Sequence, residues 1–150
     1  MILYHQGMPL PSKVPLLIVE DDANVRVLLE AAAQRSQLFE PIMQAADGQA
    51  AFEMLHLLST AELPGLIVSD LSMPRMSGLE LLRSIKADER LRHINVGIIT
   101  SSDVPNDREL AMAGGACSFV HKPHGLETLV RALISIHASC AANAGATNSV

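Results

Sequence analysis

The chain has 150 residues, of which 49% are hydrophobic and 18% charged, and its formal net charge is -5. This length and composition are typical of one globular domain with a buried core, and they exclude a disordered chain. The acidic balance argues against a nucleic-acid partner, which needs a basic stripe on the protein. Because no apolar run approaches the roughly 20 residues of a membrane span, and residues 1–10 lack a signal peptide's features, we expect a cytoplasmic protein with no membrane partner.

In chain order, residues 1–14 contain Gly, Pro and Ser and predict an irregular arm. Beyond this arm, short runs rich in branched aliphatic residues alternate with stretches of helical periodicity. Such runs are typical of buried strands because of their length and β-branched content. The predicted strands are residues 16–19, 42–45, 66–69, 96–100 and 118–120.

Apolar residues at spacings of three and four fill the gaps between these strands and predict helices with one buried stripe each. A weaker helix is predicted from Pro105 to about Gly114, since Pro suits a first turn and Gly a helix end. The stripes are Val25, Leu28, Leu29 and Ala32; Ala51, Met54, Leu55 and Leu58; Gly78, Leu81, Leu82 and Ile85; and Leu126, Leu129, Val130, Leu133, Ile134 and His137.

Five strands alternating with five helices predict a doubly wound α/β fold, a parallel sheet with helices on both faces. From Ser139 onward the sequence lacks periodicity and bulky side chains, which predicts a disordered tail over residues 139–150. We therefore expect one folded domain over residues 15–138 with no second domain. We also expect no disulfide between Cys117 and Cys140, because nothing in the sequence indicates an oxidising compartment.

Polar residues follow four of the five predicted strands. Each of these groups either ends a predicted strand or follows it within two positions: Glu20-Asp21-Asp22, Asp70, Thr100-Ser101 and Lys122-Pro123. Ligands of open parallel sheets bind at the carboxyl ends of the strands, so these groups should converge. Clustered carboxylates need a compensating charge, which a hard divalent cation such as Mg²⁺ supplies. A lysine beside such a cluster suits the holding of a phosphoryl group.

The segments LIVEDD, SDLSMPRMSG, IITSS and FVHKP stand in the order and approximate spacing found in receiver domains of response regulators. The chain resembles that family over residues 15–138, and it is most similar to single-domain, chemotaxis-type and phytochrome-associated regulators. The resemblance implies a flavodoxin-like, five-stranded parallel sheet in the order 2-1-3-4-5 with five helices.

The resemblance also implies a role for each motif residue. Asp70 matches the phosphoacceptor, and Phe119 falls at the position of a switch aromatic. Pro123 follows the lysine at a place where the family often has a cis peptide bond. The implied ligands of Mg²⁺ are Glu20, Asp21, Asp70 and the backbone carbonyl of Ser72, and the implied phosphate-binding and switch residues are Thr100, Ser101, Lys122 and Phe119.

As a function, the resemblance implies a stand-alone response regulator of a two-component phosphorelay. A sensor histidine kinase or a phosphotransfer protein would donate the phosphoryl group, with self-catalysed transfer and autodephosphorylation as the only chemistry. The output would pass to a downstream protein target through the fourth helix, fifth strand and fifth helix. A homodimer through a helix face is common among relatives.

Several motif residues have a purely structural alternative. Asp22 directly precedes an apolar helical stripe, so we expect it to cap the first helix rather than bind metal. Ser77-Gly78 similarly suits a turn and a helix start. Phe119 could simply pack in the core, and His121 and His124 are expected to be rim residues because further metal ligands are absent beside them.

Three other functions remain as alternatives. A phosphohydrolase of the haloacid-dehalogenase type also uses an aspartyl phosphate, but it would want a second Asp where Ser72 stands. A phosphorylation-independent interaction module would normally have lost Asp70 or Lys122, and both are present. A nucleotide-binding Rossmann domain needs a Gly-rich turn after the first strand, which Asp21-Asp22-Ala23 does not provide.

Overall fold

Runs of branched aliphatic residues form the strands of a single parallel sheet. The computed structural model describes residues 12–148, with side chains described for residues 12–142. Neighbouring strands are hydrogen-bonded in the order β2-β1-β3-β4-β5, which confirms the predicted sheet. The strands are β1 (Val14–Val19), β2 (Phe39–Ala45), β3 (Leu66–Ser69), β4 (Asn95–Thr100) and β5 (Ser118–His121).

Five α-helices connect and follow the strands. Three of them begin at a side-chain cap, which satisfies amide groups that have no partner within the helix. Asp22 caps the first helix, Asp47 the second, and Ser77 forms a capping box with Glu80 at the third. The helices are α1 (Ala23–Ser36), α2 (Gly48–Leu57), α3 (Gly78–Ala87), α4 (Pro105–Ala113) and α5 (Leu126–Asn148), with a short 3₁₀ helix at Thr60–Glu62.

The sheet separates two hydrophobic clusters. Successive strand residues point to opposite faces, so Leu17 and Leu16 of β1 belong to different clusters. Buried residues of α2 and α3, with Ala111 of α4, complete one cluster, and those of α1 and α5 complete the other. Because both faces are covered, the strands can be apolar throughout, and the doubly wound architecture is confirmed.

The buried stripes of α1 and α5 differ in part from the prediction. Leu28 and Ile134, which the periodicity placed in the core, are each 44% exposed. Each lies beside a fully buried neighbour, Leu29 and Leu133. Both helices pack on the sheet and on each other. This packing decides which residues at the border of each helix's apolar stripe remain exposed to solvent.

The C-terminal prediction is wrong over residues 139–148, because α5 continues to Asn148. Cys140, placed in the expected tail, is buried and forms a disulfide with Cys117, with a Cα–Cα distance of 5.1 Å. The buried face of α5 runs through Leu133 and Ile136 to Cys140, so the helical spacing continues beyond the bulky residues. Ala-rich sequence supports this continuation, since Ala has the highest helix propensity.

The predicted arm over residues 1–14 lies mostly outside the described residues, and β1 begins at Val14, two residues before the predicted strand start at residue 16. Among the described helices, none combines the length and the apolar character that crossing a bilayer requires.

Candidate functional site

Three carboxylates meet at the carboxyl edge of the sheet. Glu20 and Asp21 follow β1, and Asp70 follows β3. These strands are adjacent, with Val19 paired to Ser69, so their ends lie side by side. Ligand oxygens of the three carboxylates all lie within 4.8 Å of one another. The convergence predicted from the strand ends is therefore present.

Lys122, the residue directly after the edge strand β5, brings a positive charge to this cluster. Its ammonium lies 2.6 Å from Glu20 Oε1 and 3.3 Å from Asp70 Oδ2. Its amide donates to the Thr100 carbonyl at 2.7 Å, which ties the end of β5 to the end of β4. One ammonium thus balances part of the charge of two buried carboxylates.

The environment shifts the pKa of two of these groups. Burial raises the pKa of Glu20, and the Asp70 charge adds to this, while hydrogen bonds from Lys122 and the Asp22 amide oppose it. Burial by itself lowers the pKa of Lys122, but the hydrogen bond to Glu20 and the charges of Asp70 and Glu20 outweigh it and raise the pKa. The lysine therefore stays protonated, and its one ammonium faces a cluster of three carboxyl groups.

This donor set fits a hard divalent cation. Glu20 and Asp70 are buried, whereas Asp21 is exposed and can bind a cation that arrives from solvent. Carboxylate oxygens with water and phosphate oxygens are the ligands that Mg²⁺ prefers. Ser72, whose carbonyl was predicted as a further ligand, lies in the exposed part of the loop between Asp70 and α3.

Backbone groups hold the carboxylates in place. Asp70 Oδ1 accepts a hydrogen bond from the Leu71 amide at 2.7 Å, and Glu20 Oε2 accepts one from the Asp22 amide at 3.0 Å. Arg26 of α1 donates to the Glu20 carbonyl at 2.7 Å. Asp22 itself accepts from the Asn24 and Val25 amides, so its role as a helix cap is confirmed.

Thr100 and Ser101 lie in different environments at the end of β4. Thr100 is buried, and its hydroxyl accepts a hydrogen bond from the Ser102 amide at 3.1 Å. Ser101 is exposed and lines a cleft of about 460 Å³ above Asp70 and Lys122. Of the two residues, Ser101 lines the cleft and Thr100 does not.

Phe119 lies on β5 and is half-buried against the cluster that α2 and α3 complete. Arg108 of α4 contacts it twice: the guanidinium lies 5.8 Å from the ring centroid, and Nη1 donates to the Phe119 carbonyl at 3.1 Å. The aromatic ring is therefore packed and in contact with α4, so its packing and a switch role are compatible.

His121 and His124 both line the cleft beside Lys122. His121 Nε2 lies 3.2 Å from Asp103 Oδ1, and both side chains are exposed. Within the described part of the chain, the cluster of three or more possible metal ligands consists of carboxylates alone. The prediction of rim histidines is confirmed. The peptide bond before Pro123 is not cis; the cis bond of the described residues precedes Pro41.

One ion pair beside the loop that follows Asp70 could not be predicted from the sequence. Arg75, in the loop between β3 and α3, forms an ion pair with Asp47, the cap of α2, at 2.9 Å. Asp47-Gly48 before an apolar stripe signals a helix cap, but nothing in the sequence pairs it with an arginine that lies 28 positions away.

The family model described as "Response regulator receiver domain" matches residues 16–134. This chain belongs to the response regulator receiver family. It is therefore a receiver domain of two-component systems, a family of phosphoacceptor signalling domains. The residues matched run from the third residue of β1 through the first nine residues of α5, so the carboxylate cluster and all of β2, β3, β4 and β5 lie inside the family's extent.

Individual relatives agree with this assignment. The chain is 36% identical over 109 residues to the response regulator PleD of Caulobacter vibrioides, covering 72% of this chain and 22% of PleD. It is 32% identical over 114 residues to the chemotaxis protein CheY of Pseudomonas aeruginosa, covering 76% of this chain and 88% of CheY. The crystal structure of the Mn²⁺-bound response regulator Rcp1 is similar with a TM-score of 0.71 and 26% identity, covering 82% of this chain and 91% of Rcp1.

Proposed function

We propose that this receiver domain accepts a phosphoryl group on Asp70 from a sensor histidine kinase or a phosphotransfer protein. The observation that carries the proposal is the position of Lys122 Nζ between Asp70 and Glu20, with Asp21 within the same cluster. This arrangement places a nucleophilic carboxylate beside an ammonium and a divalent-cation site. We assign Mg²⁺ as the cofactor, held by Glu20, Asp21, Asp70 and the Ser72 carbonyl.

In the proposed reaction, a carboxylate oxygen of Asp70 attacks phosphorus in line with the bond to the donor histidine. The P–N bond breaks, its electron pair stays on the histidine nitrogen, and a P–O bond to Asp70 forms. Bound Mg²⁺ supplies positive charge that neutralises the phosphoryl oxygens. Lys122 pairs with the same oxygens, and the side chains of Thr100 and Ser101 donate hydrogen bonds to them. Positioning and electrostatics account for most of the rate enhancement.

Water later attacks the aspartyl phosphate, which releases inorganic phosphate and restores Asp70. Between the two events the modified domain adopts a second conformation. We propose that a downstream protein target detects this state through the α4-β5-α5 face. The elements α4, with its N-cap, and α5 carry exposed apolar residues that a partner could cover, namely Val104, Leu110, Met112 and Ile134.

Replacing Asp70 tests the proposal directly. Asp70→Asn should abolish labelling by a small acyl phosphate donor in the presence of Mg²⁺, because the amide is a poor nucleophile. Intact-mass analysis should show one added phosphoryl group in the parent and none in the variant. Asp22→Asn is the matched control, since Asn caps a helix as well as Asp; it should be labelled like the parent.

Other outcomes identify the alternatives. Comparable labelling of Asp70→Asn would overturn the assignment of the acceptor. A parent that takes up no phosphoryl group would indicate a phosphorylation-independent interaction module. Sustained release of phosphate from a simple phosphomonoester would indicate a phosphohydrolase.

A further inference from the structure

We propose that Arg75 and Asp47 form a clamp that positions the loop over residues 71–77, and with it the Ser72 carbonyl, for binding of the divalent cation. The inference rests on the proposed function, because it concerns the metal site assigned there. Arg75 and Asp47 are positioning residues: they act on the site through the loop and do not touch the carboxylate cluster.

The clamp is a two-pronged ion pair. Arg75 Nε donates to Asp47 Oδ2 at 3.0 Å, and Nη2 donates to Oδ1 and Oδ2 at 3.0 and 2.9 Å. The Asp47 side chain is only 10% exposed, whereas that of Arg75 is 57% exposed. Paired hydrogen bonds from a planar guanidinium to a carboxylate fix orientation as well as distance. The loop is thus attached to a rigid, buried anchor on α2.

The anchor carboxylate is itself held in place. Asp47 Oδ1 accepts a hydrogen bond from the Ala50 amide at 2.8 Å as the cap of α2. This hydrogen bond, together with the Arg75 guanidinium, keeps the pKa of Asp47 below its ordinary value against the effect of burial. Asp47 is therefore ionised near neutral pH and available to Arg75.

The backbone at Arg75 has a conformation that needs external support. Its φ is 65°, in the left-handed region that residues other than Gly, Asn and Asp rarely adopt. Such a conformation persists where surrounding contacts over-determine it. The ion pair with Asp47 is such a contact, so the loop's turn and the clamp depend on each other.

Two backbone hydrogen bonds close the same loop around the clamp. The Gly48 amide donates to the Met76 carbonyl at 3.2 Å, and the Gly78 amide donates to the Leu71 carbonyl at 2.8 Å. A Cβ at Gly48 would lie 2.5 Å from the Met76 carbonyl oxygen, so α2 and the loop approach each other as closely as Gly permits. Ser72 lies within the closed loop, two residues after Asp70 and three before Arg75.

A double-mutant cycle can separate this role from general stabilisation. Arg75→Asn removes the guanidinium but tolerates a left-handed φ, and Asp47→Asn removes the charge but keeps the helix cap. Each should raise the Kd for Mg²⁺, measured by calorimetry without phosphodonor, about tenfold, as is typical of groups that orient metal ligands. The double variant should be no worse than either single one. Arg75→Lys, which keeps the charge without the paired geometry, should fall between.

Labelling kinetics provide a second readout. At low Mg²⁺ the variants should be phosphorylated about tenfold more slowly than the parent, and at saturating Mg²⁺ the rates should converge. Arg35→Gln removes a guanidinium from an exposed ion pair between α1 and α5 and should leave both readouts unchanged.

The outcomes are distinct. Variants that lose thermal stability in EDTA but bind Mg²⁺ like the parent would overturn the clamp and leave the proposed function intact. If the losses in the free energy of Mg²⁺ binding of the two single variants add in the double variant, Arg75 and Asp47 do not act as a pair. A parent that binds no Mg²⁺ would refute the metal assignment of the proposed function, and the clamp with it.

Discussion

Asp21 is the residue at which cation binding is easiest to probe. Glu20 and Asp70 are buried and paired with Lys122, so replacing either one disturbs the charge balance of the metal-free protein. Asp21 is exposed. Removing its carboxylate should therefore weaken cation binding with little effect on folding in the absence of metal.

We expect Mg²⁺ to stabilise the parent by mass action, by about 2.7 kcal/mol at a concentration 100 times Kd. For a chain of this size, that corresponds to a rise of roughly 5–10 °C in Tm. Asp21→Ala should need a clearly higher Mg²⁺ concentration for the same rise. Thermal unfolding across a Mg²⁺ titration measures this, with Asp103→Ala, which is also exposed, as the control. If Asp21→Ala responds to Mg²⁺ as strongly as the parent does, the cation binds elsewhere.

At the scale of elements, a disulfide attaches the distal part of α5 to the residue that precedes β5. The last buried side chain of α5 in the described region, Cys140, is bonded to Cys117, which directly precedes β5. The two cysteines are 23 positions apart in sequence, so the disulfide closes the loop that contains β5 and the part of α5 that ends at Cys140. The link joins the far end of the helix to the sheet.

Breaking this disulfide should lower the free energy of unfolding by roughly 3 kcal/mol, the order expected from closing a loop of this length. Cys140→Ala and Cys117→Ala should show similar losses, and the double variant should lose no more than the larger of the two. Urea unfolding with and without reducing agent provides the measurement. The variants should be insensitive to reductant. If the urea unfolding midpoint of the parent is the same with and without reducing agent, the disulfide does not contribute to stability.

At the scale of the whole molecule, the site and the proposed output face share two strands. Thr100 ends β4 and Phe119 lies in β5, and Arg108 of α4 contacts Phe119. Movement of the Thr100 hydroxyl toward a phosphoryl group would break its hydrogen bond with the Ser102 amide, just before α4. A difference of a few kcal/mol between two such conformations is enough to shift their populations.

We therefore expect a phosphoryl mimic such as beryllofluoride to change amide chemical shifts well beyond Asp70, across residues 105–136. The reason is that α4 and β5 are connected to the site through Thr100 and Phe119. Heteronuclear correlation spectra in Mg²⁺ with and without the mimic measure this, and Asp70→Asn should show no change. Shifts confined to the immediate neighbourhood of Asp70 would refute the proposed output route.

Much of this protein follows from its sequence alone. Apolar runs separated by helical stripes specify a parallel sheet with helices on both faces. In such a sheet the residues that follow the strands must meet at one edge. Glu20, Asp21, Asp70 and Lys122 could therefore be assigned to one site from their positions after strands, and β3 matches its predicted bounds of 66–69. The caps at Asp22 and Ser77 are equally local, since each bonds only the next few amides.

Other features depend on contacts between residues distant in sequence, and only the tertiary structure decides them. The spacing of Cys117 and Cys140 says nothing about distance until α5 packs on the sheet beside β5. Likewise, Arg75 meets Asp47 only because α2 and the loop after β3 approach at Gly48. The exposure of Leu28 depends on how α1 and α5 share one face of the sheet. Local periodicity determines which helices and strands form and which residues end them, whereas packing determines which of their side chains contact each other.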